Sequence, residues 1–165
     1  MKLTGYHVFD RSTVEPARHT QAVIDSVGDS PLFAGVDPGE VTQILNEFDE
    51  QSFNRGHRIT LEGLRGSDFY VIADGQARVT VEGWKVASLG QGDFFGEIAV
   101  LSNGPRFATV AAETPLRCLV LPNGGLERLL IEHPQVGINL LRVVVGRFQD
   151  LTGRNDPPRL KLASS

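Results

Sequence analysis

From about Glu50 to Leu121 the chain consists of short runs in which apolar and polar residues alternate, with turn residues every few positions, and this pattern excludes an all-helical fold. His57-Arg58-Ile59-Thr60-Leu61, Phe69-Tyr70-Val71-Ile72-Ala73, Ala77-Arg78-Val79-Thr80-Val81 and Trp84-Lys85-Val86-Ala87-Ser88-Leu89 read as strands. Asp74-Gly75 and Glu82-Gly83 separate them as hairpin-turn pairs. Half of the chain's 18 glycines fall in this stretch. Many short strands at such spacing imply a barrel or a sandwich.

On either side the period lengthens to that of a helix. Ala22, Val23 and Val27 predict a short helix within His19–Val27, ended by Gly28. Asp37 as N-cap and Pro38 at the first helical position predict a second one through about Phe48, with Val41, Ile44, Leu45 and Phe48 as its apolar stripe. Beyond Leu121, Leu126, Leu129 and Leu130 mark a third helix ending around His133-Pro134, and a fourth runs from about Pro134 to Leu151. That last helix has two apolar edges. Ile138, Leu141, Val145 and Phe148 follow an a/d-like spacing, whereas Leu140, Val144 and Leu151 lie on another side. One edge can cover the strands; the other either meets a partner or is buried within the monomer. The expected class is mainly β with flanking α-helices, organised as an arm or disordered leader (1–18), one folded domain (19–151) and a polar tail (152–165).

A chain of 165 residues, 41% hydrophobic and 22% charged, can bury a core of its own and has the composition of a soluble globular protein. The net charge of −4 and the scattered basic residues leave no electrostatic footprint for nucleic acid. The residues after Leu151 are too few for a helix-turn-helix, so direct DNA binding is not expected. No stretch has the length of a membrane span or the pattern of a signal peptide. The single cysteine, Cys118, excludes an internal disulfide and reads as a buried strand residue, so a cytoplasmic location is expected. The histidines His7, His19, His57 and His133 are isolated, and neither a His-x-His pair nor Gly-x-Ser-x-Gly occurs. Neither a bound metal nor an enzymatic activity is therefore expected.

The most informative segment is Gly92-Asp93-Phe94-Phe95-Gly96-Glu97-Ile98-Ala99-Val100-Leu101, followed by Gly104-Pro105-Arg106-Phe107-Ala108-Thr109-Val110. A strand runs into Gly96, a helix of barely one turn follows, and a loop delivers Arg106 before the next strand. The first amides of a helix lack internal partners and sit at the positive end of its dipole, so they can face an anion. Gly96 has no side chain to obstruct close approach. Arg106 adds a permanently charged planar fork suited to two phosphate oxygens, and a carboxylate such as Glu97 suits a sugar hydroxyl. Phe94 and Phe95 read as core. Two duller roles compete: Glu97 can simply complement the helix dipole, and Arg106 can be a solvated loop residue or pair internally with Glu97.

On these residues the sequence resembles the cyclic-nucleotide-binding domains of catabolite-activator-type regulators and cyclic-nucleotide-dependent kinases. The resemblance spans roughly residues 31–151. It includes Pro31-Leu32-Phe33, Gly56-His57-Arg58-Ile59, Glu62-Gly63, Phe69-Tyr70-Val71-Ile72 and Gly75, besides the cassette from Phe95 to Val110. It implies a double-stranded β-helix, a jelly-roll-like β-roll, with N-terminal helices and a C-terminal helix pair. It also implies that Arg106 pairs with a cyclic phosphate and Glu97 with the ribose 2′-hydroxyl, while Gly96, Ile98 and Ala99 complete the anion site beside Phe107 and Ala108. The ligand implied is cAMP or cGMP, held by a non-catalytic regulatory module. Relatives preferring cGMP often carry a hydroxyl residue just after the arginine; Phe107 stands there, which favours cAMP. The last helix would cap the base, with Phe148 and Thr152 as candidate lid residues, and would contact a second copy or an effector protein. A fold of this type that has lost its ligand and serves as an interaction or scaffold module is the alternative.

Overall fold

The computed structural model describes residues 18–153. The described residues form five α-helices and eight strands, in the order α1 (Gln21–Gly28), α2 (Pro38–Leu45), β1 (Asp49–Phe53), β2 (Arg58–Thr60), β3 (Phe69–Asp74), β4 (Ala77–Val81), β5 (Trp84–Leu89), β6 (Phe94–Phe95), α3 (Glu97–Ser102), β7 (Thr109–Ala112), β8 (Leu116–Leu121), α4 (Gly125–Glu132) and α5 (Pro134–Leu151). A single 3-10 turn, Pro31–Phe33, stands between α1 and α2. Residues 1–17 of the expected arm and 154–165 of the expected tail lie outside the described residues.

The strands pair antiparallel into two four-stranded sheets, ordered β1-β8-β3-β6 and β2-β7-β4-β5. They face one another as a β-roll, with the helices against the outer face of the first sheet. The two-residue side-chain period divides the core accordingly. Phe69, Val71, Ala73, Phe94, Leu119 and Leu121 point to the helices and pack with Val27, Ile44, Leu129 and Leu140. Tyr70, Ile72, Phe95, Cys118 and Val120 point into the roll, where they meet Ala77, Leu89 and Val110. Residues 69–73 are all buried because their sheet is covered on both faces, which is why that run is apolar throughout.

The β4–β5 hairpin turns on Glu82 and Gly83, both at positive φ (+50° and +81°), as the Glu-Gly pair predicts, whereas Asp74-Gly75 joins β3 to β4 across the two sheets and forms no hairpin. Strand β1, by contrast, is mostly polar and exposed, and only its pairing with β8 makes it a strand. Asp37 caps α2 as expected, its Oδ1 accepting from the amides of Gly39 and Glu40. The helix stops at Leu45 rather than at Phe48. His19 Nε2 donates to the carbonyls of Leu45 (2.9 Å) and Phe48 (3.1 Å), and Asn46 Oδ1 accepts from the Arg18 amide (2.8 Å). The His19 side chain and the Arg18 amide, both from upstream, thus hold the helix end. Helix α5 covers Pro134–Leu151 as expected, with Val136, Asn139 and Leu140 buried against the body. Its other edge, Ile138, Leu141, Val145 and Phe148, is 46–61% exposed, so the helix is not buried on both sides.

Candidate functional site

Strand β6 pairs with β3 in a register that sets Phe95 opposite Tyr70, and their rings stack at 4.7 Å inside the roll. The chain then turns at Gly96, whose φ of +91° lies in the left-handed region that glycine adopts freely. A Cβ there would stand 2.6 Å from the Asp68 carbonyl oxygen. Both conditions exclude any other residue. Helix α3 follows with no side chain capping its N-terminus, and Asn103 closes it in the left-handed conformation.

The loop after α3 is pinned to the one preceding β3. The Arg106 amide donates to the Leu64 carbonyl (2.8 Å), and the Gly63 amide donates to the Arg106 carbonyl (2.9 Å). This sends the Arg106 side chain inward, where it is 7% exposed. Its Nη1 donates to the Gly96 carbonyl (3.1 Å) and its Nη2 to the Asp68 carbonyl (3.0 Å), with the guanidinium 5.9 Å from the Tyr70 ring centroid. Among the described residues Arg106 forms no salt bridge.

Glu97 opens α3 and is 5% exposed. Its partner is Arg147 of α5, with Nη1 3.4 Å from Oε1. Arg147 also donates from Nη2 to the Phe94 carbonyl (2.7 Å), and its guanidinium lies over the Phe94 ring at 4.5 Å. Burial lifts the Glu97 carboxyl above its ordinary value, opposed first by Arg147, then by its own amide and by Arg106. The internal Arg106–Glu97 pair weighed from sequence is replaced by these two separate arrangements.

A cavity of about 620 Å³ opens between the roll, α3 and α5. All of Gly96, Glu97, Ile98, Ala99, Arg106, Phe107 and Ala108 line it. Phe107 sits at its wall while 52% exposed. Phe95 lines it as well as filling the core, whereas Phe94 belongs to the core facing the helices. Val79, Leu89 and Val110 from the roll and Val143 from α5 give the rest an apolar surface. Neither Phe148 nor Thr152 reaches the cavity; Gly146, Arg147, Asp150 and Leu151 are the α5 residues that do, together with Val143. Arg147 is the functional candidate that sequence reading missed. A signal existed: Val136, Leu140 and Val143 recur at steps of four and three on the buried side, and the next step of four lands on Arg147. Among the described residues no cluster of His, Cys, Asp and Glu could hold a metal ion, and no helix is long and apolar enough to cross a membrane.

The N-terminus of α3 and the buried Arg106 thus meet at one cavity of the β-roll, whose remaining lining is largely apolar. The chain belongs to the cyclic nucleotide-binding domain family, whose model matches residues 50–133. It is 37% identical over 119 residues to the cAMP-dependent protein kinase regulatory subunit of Mycosarcoma maydis, a match covering 67% of this chain and 22% of that one. It is 33% identical over 129 residues to the potassium/sodium hyperpolarization-activated cyclic nucleotide-gated channel 2 of Mus musculus, covering 78% of this chain and 15% of the channel. The chain thus spans less than a quarter of either relative's length. Among solved structures, the catabolite activator protein of Thermus thermophilus superposes with a TM-score of 0.67 at 31% identity, over 73% of this chain and 59% of that one.

Proposed function

We propose that this chain binds a cyclic nucleotide, cAMP in preference to cGMP, as a non-catalytic sensor working in the cytoplasm through the unit 19–151. The observation that carries the reading is the buried Arg106 guanidinium. It is always charged, its hydrogen bonds go to the neutral carbonyls of Gly96 and Asp68, and the carboxylate that acts on it through space, Glu97, is paired with Arg147 instead. Burial of a charge costs several kcal/mol per ion, of order, unless an opposite charge offsets it. An anion entering the cavity supplies that charge. The cyclic phosphate would meet Arg106 and the leading amides of α3, and the ribose 2′-hydroxyl would donate to Glu97. The purine would occupy the apolar part between Val79, Leu89 and Val143. The preference for cAMP rests on Phe107, which offers no hydroxyl beside the arginine.

The output would be a shift of α5. A ribose hydroxyl donating to Glu97 would draw on the same carboxylate charge that holds Arg147 at Oε1, and Arg147 belongs to α5. Ligand binding then favours one placement of the helix over another, and only that differential affinity can move the equilibrium. The uncovered edge of α5 would carry the signal to a second copy of the chain.

Calorimetric titration of cAMP and cGMP into wild type and Arg106→Leu, in protein freed of co-purified nucleotide, tests the reading. Wild type is expected to bind cAMP more tightly than cGMP. The variant should keep its circular-dichroism spectrum and lose about a hundredfold or more in affinity. Absence of heat and of thermal shift with both nucleotides in wild type would leave the interaction-module alternative standing instead.

A further inference from the structure

Gly66 lies in the loop between β2 and β3, and nothing in its backbone requires glycine, since its φ is not among the positive ones. What requires it is space. A Cβ at this position would stand 2.5 Å from Arg106 Nε, 2.7 Å from Nη2 and 2.9 Å from Cζ. These separations are far below van der Waals contact, so either the loop or the guanidinium would have to move.

The guanidinium has little freedom to yield. Its two outer nitrogens are held by the Gly96 and Asp68 carbonyls at 3.1 and 3.0 Å, and the Arg106 main chain is tied to Gly63 and Leu64. A Cβ on Gly96 would come within 2.9 Å of Nη1, so a second glycine walls the same group. The Tyr70 ring stands on a further side. Any retreat from a side chain at 66 therefore breaks one of the contacts that aim the fork.

We infer that Gly66 is a positioning residue for the anion site: its missing side chain is the slot in which the Arg106 guanidinium lies. The inference rests on the proposed role of Arg106 toward a cyclic phosphate. The slot itself can be tested without ligand.

The experiment is a graded series, Gly66→Ala and Gly66→Val, each in wild type and in an Arg106→Ala background. Thermal midpoints and calorimetric cAMP affinity are the readouts. In the wild-type background the affinity should fall by about tenfold for alanine at most, and by about a hundredfold for valine, as expected for overpacking against a fixed group. Both substitutions should lower the midpoint there. In the Arg106→Ala background the same substitutions should leave the midpoint unchanged or raise it, because the group they displace is gone. Equal thermal losses in both backgrounds would overturn the slot, as would wild-type cAMP affinity in a folded Gly66→Val protein. If wild type binds neither nucleotide, the phosphate role falls with the functional reading, and the thermal cycle alone decides whether the slot exists.

Discussion

At the Glu97 carboxyl burial and charge pull in opposite directions. Burial dominates and raises its pKa above 4.5, with Arg147 the leading opponent. A carboxyl that holds its proton more tightly when folded takes up a proton on folding between the two pKa values, so stability falls as pH rises through that window. Glu97→Gln removes this dependence. Thermal midpoints of the variant should therefore decline less than those of wild type from about pH 4.5 upward. Parallel curves for the two proteins would mean that the carboxyl ionises without cost. Cys118 obeys the same physics more simply: burial in the roll pushes its thiol up to about 12, in keeping with a packing residue. At this scale Gly96, Glu97 and Arg106 were legible because they lie within eleven residues of one another, and their chemistry is local. Arg147 was not, because it reaches Glu97 across fifty residues and only the phase of α5 distinguishes it from Arg142. Gly66 was also invisible, since no property of the loop sequence reveals what lies above its Cα.

Among the elements, α5 is held at two points. Near its start, Asn139 Nδ2 donates to the Leu32 (3.0 Å) and Ala34 (2.7 Å) carbonyls, tying the helix to the 3-10 turn. Near its end, Arg147 ties it to Glu97 and Phe94. The turn is itself fastened to the roll, because the Ser30 hydroxyl donates to the Gly92 carbonyl just before β6. The helix thus reaches the segment that leads through β6 into α3 by two routes. Asn139→Ala strands the buried Leu32 carbonyl and frees the Ala34 carbonyl at the surface, and the buried loss costs about 1–3 kcal/mol. Urea denaturation should show a loss of about 1–3 kcal/mol with an unchanged m-value. A loss below about 0.5 kcal/mol would mean that water takes over the carbonyls. The length of α5 could be read from Pro134 and the apolar period, since both act within the helix. The end of α2 could not, because His19, outside the helix, donates to its last carbonyl at Leu45 and to that of Phe48 beyond it.

For the whole molecule, the open question posed by sequence was which edge of α5 is covered. Leu140 and Val136 are buried against the body, while Ile138, Leu141, Val145 and Phe148 stand outside it at successive steps of three, four and three. Such a stripe is self-complementary across a two-fold axis, which favours a second copy as its occupant. Light scattering coupled to size exclusion should give twice the 18.0 kDa chain mass for wild type, and a single chain mass for Leu141→Glu. A monomeric wild type at tens of micromolar, of order, would assign the stripe to an effector instead.

The sequence by itself determined a barrel or sandwich of short strands, its flanking helices and the Gly96-Glu97–Arg106 cassette, and only the family resemblance of these residues implied the β-roll. Turn residues, two-fold and helical periods, and a helix start are all properties of contiguous chain. Only the tertiary structure decided that the Arg106 guanidinium is buried against neutral carbonyls, that Arg147 and not Phe148 or Thr152 reaches the cavity from α5, and that Gly66 leaves room for the arginine. Burial and the pairing of charges depend on which segments fold over one another, and those distances are set by the packing of the two sheets and α5 rather than by any local run of residues.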